Sequence, residues 1–281
     1  MKRKSIVKQA VDRLQGMAAW GHSKHQDKAA NGGKPALEKI YSHCTMDNYK
    51  AVAATYAGWA REAHGCRDID QARQYTGEYL RGRMAVGLSA WTVRRDAAAL
   101  AKLYQCQTTE LGAELPTRHR GDITQHRGGK SKGHFSEARH KDLADLCRAT
   151  GLRRHEVAQL RPGDVEQIGG KTFVTVQQGK GGKYRRIEAL NDAPARLAEK
   201  AQGRDRLIEH IPKYAPCHEW RAEFAQAMYR QLARDPVQLP AREVYRCRAD
   251  RAGVCYDKQA MKAVSLALGH ARLDVVTNYI K

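Results

Sequence analysis

No apolar run in the sequence approaches the roughly 20 residues a helix needs to cross a bilayer. The basic first residues, Met1 to Lys8, lead into no apolar stretch either. Neither a membrane span nor a secretory leader is expected. Acidic residues are scarce: 30 Asp plus Glu stand against 50 Lys plus Arg, a formal net charge of +20. The excess runs along the whole chain rather than filling a tail, so it suits a folded surface that follows a long polyanion. With no membrane segment, nucleic acid stands ahead of an anionic bilayer as that partner. No Cys-x-x-Cys pair occurs, and the seven cysteines are odd in number and scattered. They read as free thiols in a reducing cytoplasm, with no zinc site. No carboxylate cluster of the kind that holds catalytic metals is visible, since Glu156 stands alone among cations. Internal repeats and low-complexity tracts are also missing.

What is present is enough for two domains: 281 residues, 42% of them hydrophobic. Residues 1–105 carry helical stripes. Ile6, Ala10, Leu14 and Met17 form one, and Met46, Tyr49, Val52, Tyr56 and Ala60 another. Asp68 can cap a helix running through Ala72, Tyr75 and Tyr79, and Ser89 one through Val93, Ala97, Leu100 and Tyr104. Residues 22–35 read as a polar loop. Residues 117–134 change character: Arg118, Arg120, Arg127, Lys130 and Lys132 come with glycines and little to bury, as in a basic linker lying along phosphates. Beyond it, helices are expected over 136–149, 216–234 and 256–268. Two strands, Phe173 to Val176 and Tyr184 to Leu190, flank a turn at Gln178-Gly-Lys-Gly-Gly-Lys183. The expected fold is mainly α with a small antiparallel β-sheet. A helical domain fills 1–116, the linker 117–134 and a mixed α+β domain 135–281.

The second domain holds the groups that a metal-free attack on a phosphodiester requires. These are a nucleophile, fixed donors for the charge on the non-bridging oxygens, and an acid for the leaving oxygen. Thr150-Gly-Leu-Arg153 enters a helix with Glu156 three residues on. Lys180 sits at the tip of a β-turn, with Lys183 as its competitor. His218 and Arg221 lie on one helical face. Leu268-Gly-His270 follows, and Tyr279 comes nine residues later. Taken singly each has a plainer reading: a surface arginine, a turn lysine, a structural histidine, a tyrosine anchoring a last helix. None of these explains the joint order.

That order resembles the tyrosine recombinase (phage integrase) family. The resemblance rests on Thr-Gly-Leu-Arg153-x-x-Glu156, Gly-Lys180-Gly-Gly-Lys183, His218-x-x-Arg221 followed by Glu-Phe-Ala, and Leu-Gly-His270 with Tyr279. It covers roughly 136–281, and the helical part looks like the family's core-binding domain. The resemblance implies an enzyme that clamps duplex DNA and cleaves it through a 3′-phosphotyrosine at Tyr279, without ATP or another cofactor. In that scheme Arg153 and Arg221 hold the non-bridging oxygens with His270. Lys180 protonates the leaving 5′-oxygen, His218 helps deprotonate the phenol, and Glu156 orients Arg153 or its neighbours. Arg118, Arg120, Arg127, Lys130, Lys132 and Lys183 contact DNA. Implied too are a homotetrameric synapse passing through a Holliday junction, a role in moving a mobile element, and a place in the cytoplasm on the nucleoid. A type IB topoisomerase shares the chemistry but usually carries lysine where His218 stands. An inactive DNA-binding regulator would not need the complete reactive set. Three departures from the family pattern stand out. The stretch from Lys180 to His218 is short. The stretch between Arg221 and His270 is long, which points to an added loop or arm. The chain also ends two residues after Tyr279, short of the family's usual subunit-docking segment.

Overall fold

The computed structural model describes residues 4–123 and 135–280. The chain divides into two compact units, Met1–Asp122 and Ile123–Lys281. Among the described residues no helix is long and apolar enough to cross a membrane.

The first unit is helical: α1 (Ile6–Gln15), α2 (Lys24–Ala30), α3 (His43–His64), α4 (Ile69–Ala72), α5 (Thr76–Ala85) and α6 (Ala90–Leu103). Serines start four of them. Ser5, Ser23, Ser42 and Ser89 each accept a hydrogen bond from the backbone N–H three residues on, which satisfies a donor the helix leaves open. The stripes expected from sequence face one core, where Ile6, Ala10, Leu14, Tyr56, Leu80 and Leu100 are buried. Two expectations are revised. The supposed loop at 22–35 contains α2, whose residues are not buried and whose Asp27 bonds Tyr41 and Lys39 instead. The helix capped by Asp68 does not run through Tyr79 in one piece. It breaks into α4, a 3-10 turn (Arg73–Tyr75) and α5. At the break the Thr76 hydroxyl donates to Leu111 O at 3.0 Å, and Gly77 packs against the backbone of Gly112 with no room for a Cβ.

The second unit runs α7 (Lys141–Thr150), α8 (Arg154–Gln159), β1 (Val165–Ile168), β2 (Lys171–Val176), β3 (Arg185–Glu188), α9 (Ala193–Lys200), α10 (Cys217–Leu232), β4 (Val244–Arg246), β5 (Cys255–Asp257) and α11 (Lys258–Ala267). A 3-10 segment, Leu273–Asn278, follows. Strands β1, β2 and β3 form an antiparallel sheet in sequence order. A second, two-stranded ribbon pairs β4 with β5. The fold is therefore mainly helical with small antiparallel sheets, as expected. β1, α9 and the ribbon are additional to the expected elements. Leu146, Leu152, Trp220, Phe224, Met261 and Leu268 lie in one core that joins α7, α10 and α11. That core fixes the ends of three elements next to one another, and the candidate site is built on those ends.

Candidate active site

Gly151 ends α7 with φ +63, a conformation that costs glycine little. A Cβ there would overlap the ring of Phe224 on α10. This close approach brings the Gly151 carbonyl onto the α10 side chain of Arg221, whose Nη1 donates to it. The chain then turns through Leu152 to Arg153, the residue that starts α8.

Glu156 is the hub of the site. Its carboxylate, with no exposed side-chain surface, accepts from the Arg153 backbone N–H at 2.8 Å and from Arg153 Nη1 at 2.9 Å. It also accepts both guanidinium arms of Arg185, at 2.9 and 2.7 Å. Burial alone would raise its pKa. The fork from Arg185 and the bonds from Arg153 outweigh burial and hold it at about 2. Arg185 opens β3, donates its Nε to Ala267 O at 3.0 Å, and is 8% exposed. It thereby ties Glu156 to the end of α11. Gly179 in the neighbouring turn comes so near that a Cβ there would stand 2.8 Å from Arg185 Nη1. Arg185 was not among the residues singled out from sequence. The signal for it is the strand period: Ile187 faces the core, so Arg185 two residues earlier faces the same way.

Arg221 is the second hub. It is 0% exposed, and its Nη2 donates to Leu268 O at 2.5 Å and lies 3.4 Å from His270 Nε2. Its guanidinium sits 5.6 Å from the ring centre of Tyr279, and the His270 and Tyr279 rings are 5.5 Å apart. No carboxylate pairs with it, and its Nε is the only fully buried side-chain polar atom without a hydrogen-bond partner among the described residues. Burial first and the charge of Arg153 second pull its pKa down to about 10, with the Tyr279 oxygen working the other way. His270 is driven to about 4 by burial and by the cations Arg221, Arg153, Arg185 and Lys180, so its ring is neutral at pH 7.

The structure thus brings Arg153, Glu156, Arg221, His270 and Tyr279 together. Lys180 lies exposed in the Gly179–Gly182 turn, close enough to act on the His270 charge. In that turn Gly179 N donates to Lys183 O at 2.8 Å, which sets Lys183 on the returning leg, also exposed. His218 sits exposed in the first turn of α10, one turn before the buried Arg221. In the first unit Arg118 stacks its guanidinium 4.7 Å over the Trp91 ring, and Arg120 opens a short 3-10 turn. Arg127, Lys130 and Lys132 lie outside the described residues. Among those described, no group of three or more His, Cys, Asp or Glu is arranged to hold a metal.

The fold is that of the tyrosine recombinases. The XerH site-specific recombinase in a pre-cleavage complex with its difH substrate superposes with a TM-score of 0.55 at 16% identity, over 98% of this chain and 91% of that one. Its post-cleavage complex gives 0.54 at 15%, over 98% and 90%. The Tn1549 transposon integrase with transposon right-end DNA gives 0.50 at 14%, over 99% and 95%. No family model matches the sequence, and no curated protein does.

Proposed function

We propose that this chain is a site-specific DNA recombinase or integrase that cuts and rejoins strands through a covalent 3′-phosphotyrosine at Tyr279. One observation carries the reading. Among the described residues, Arg221 is a wholly buried cation with no carboxylate partner and a free Nε, facing His270 and the phenol of Tyr279. Burying an uncompensated charge is costly, and a pocket built this way is completed by an anion. A phosphodiester is an anion that the tyrosine beside it can attack.

Arg153 and Arg221 hold the two non-bridging oxygens, and the neutral His270 supplies a further hydrogen bond. The phenol oxygen of Tyr279 bonds to phosphorus as the bond to the 5′-oxygen breaks. The phenol proton passes to His218, and Lys180 gives a proton to the leaving oxygen. Glu156 fixes the fork of Arg153. One phosphoester replaces another, so rejoining is the same step reversed and no nucleotide cofactor is required. Lys183, Arg118, Arg120 and the basic residues of 124–134 add phosphate contacts, which set affinity rather than chemistry. Integration or excision of a mobile element by a tetramer on two DNA sites fits this reaction. DNA contact also fits the neighbours, which were solved with DNA bound.

The test is a nicked duplex bearing the site taken from the DNA that flanks the gene. Wild-type protein should become trapped on it as a denaturant-resistant adduct. Tyr279→Phe should bind with unchanged affinity and give no adduct. An adduct with the variant would assign the nucleophile elsewhere.

A further inference from the structure

The long stretch between α10 and α11 is not a loose arm. Its base is locked. Arg234 forks onto Asp257 at 2.8 and 3.0 Å, and Asp257, itself 0% exposed, caps α11 through Gln259 N at 2.8 Å. Its backbone N–H donates to the Tyr229 hydroxyl on α10 at 2.9 Å. From this base β4 and β5 project as a ribbon in register Val244 with Asp257, Tyr245 with Tyr256 and Arg246 with Cys255.

The ribbon reaches the segment that carries Tyr279. Tyr279 directly follows a 3-10 turn, Leu273–Asn278, and carbonyls on either side of Tyr279, together with its own, take side-chain donors. Three side chains satisfy them. Arg251, in the ribbon's connecting loop, donates through Nη1 to Thr277 O. Tyr256 on β5 donates its hydroxyl to Ile280 O at 3.1 Å. Gln226 on α10 donates to Tyr279 O at 3.1 Å. Two of these donors come from the insertion, one on each side of Tyr279. Val276 and Ile280, 0% and 2% exposed, anchor the same segment in the core.

We propose that the β4–β5 insertion is a clamp that sets the attack position of Tyr279 within its own subunit, with Arg251 and Tyr256 as positioning residues. This rests on the reading of Tyr279 as nucleophile. The clamp holds backbone on both sides of the tyrosine, and among the described residues its hydrogen bonds go to carbonyls of that segment rather than to Arg153, Arg221 or Lys180. Loosening it therefore disturbs the nucleophile and leaves the phosphate pocket intact.

Adduct formation on the nicked duplex should slow about tenfold in Tyr256→Phe, which keeps the ring, and in Arg251→Met, with DNA affinity within twofold of wild type. Arg251→Lys keeps a donor and should recover most of the rate. The second readout replaces the nucleophile. In Tyr279→Phe, added hydrogen peroxide can attack phosphorus: its oxygen bonds to phosphorus, the 5′-oxygen leaves with a proton, and nothing is oxidised. Adding Tyr256→Phe and Arg251→Met to that background should leave peroxide cleavage unchanged. Unaltered adduct rates in the clamp variants would overturn the proposal, and so would an equal loss of peroxide cleavage, which would mean general damage to the unit. Absence of both adduct with the wild type and peroxide cleavage with Tyr279→Phe would instead remove the recombinase reading beneath it.

Discussion

Glu156→Gln removes the carboxylate that Arg153 and Arg185 share through four hydrogen bonds. The side chain of Glu156 has no exposed surface, and those of Arg185 and Arg153 are 8% and 12% exposed. Losing one partner of a buried ion pair costs about 3–5 kcal/mol, because the other charge stays buried. The pKa offers a second route to the magnitude. A carboxyl lowered from 4.5 to about 2 contributes about 3 kcal/mol at neutral pH. The folded pKa is depressed, so this contribution is complete above pH 4.5 and is lost as pH falls toward 2. The gap between wild type and Glu156→Gln should therefore be about 3 kcal/mol or more at pH 7. It should shrink by about 2 kcal/mol at pH 3. Trp220 is the single tryptophan of the second unit and is 1% exposed, so it reports that unit once Trp20, Trp59 and Trp91 are replaced by Phe. Urea unfolding of the full chain, followed by its fluorescence at both pH values, gives the numbers. A loss under about 1 kcal/mol at pH 7, or a gap that does not change with pH, would refute the account of Glu156 as the carboxylate that compensates Arg153 and Arg185.

Three further outcomes are expected. Histidine NMR of the free protein, assigned with His270→Gln, should show the His270 ring titrating near 4 and moving upward when a DNA phosphate fills the site; a midpoint near 6.5 would refute the depression by burial and the cation cluster together. Lys180→Ala should be slow on ordinary DNA and near wild type on DNA with sulfur at the bridging 5′ position, because a thiolate leaves without an acid; selective rescue of Lys183→Ala instead would transfer that role. Replacing Arg118, Arg120, Arg127, Lys130 and Lys132 with Ala should flatten the fall of log affinity with log salt, and an unchanged slope would mean these residues release no counterions.

How far the sequence carried depends on whether a residue's environment is local. Helices α1, α3 and α6 were legible because their apolar stripes, and for α6 its Ser89 cap, are local to each helix. Helix α2 was not, because it has no apolar face and is held by Asp27 reaching Tyr41 and Lys39. β1 is largely exposed and only four residues long, and β4 and β5 are three residues each, too short for a period to register. The site residues were read from a chain-order pattern rather than from their environments. Arg185 escaped for a physical reason: in Lys183-Tyr-Arg-Arg186 it looks like one more surface cation. Only Glu156, 29 residues earlier, makes its burial possible. The clamp escaped in the same way. Arg251 sits in a run of basic residues that looks solvated, while its acceptor is a carbonyl 26 residues further on.

The most direct measurement identifies the covalent bond itself. Wild-type protein trapped on the nicked duplex is digested with nuclease and trypsin, and the modified peptide is sequenced by mass spectrometry. The account predicts that Leu273–Lys281, released after Arg272, carries a nucleotide linked through its 3′-phosphate to the oxygen of Tyr279. A nucleotide on any other residue, or one attached through a 5′-phosphate, would contradict it.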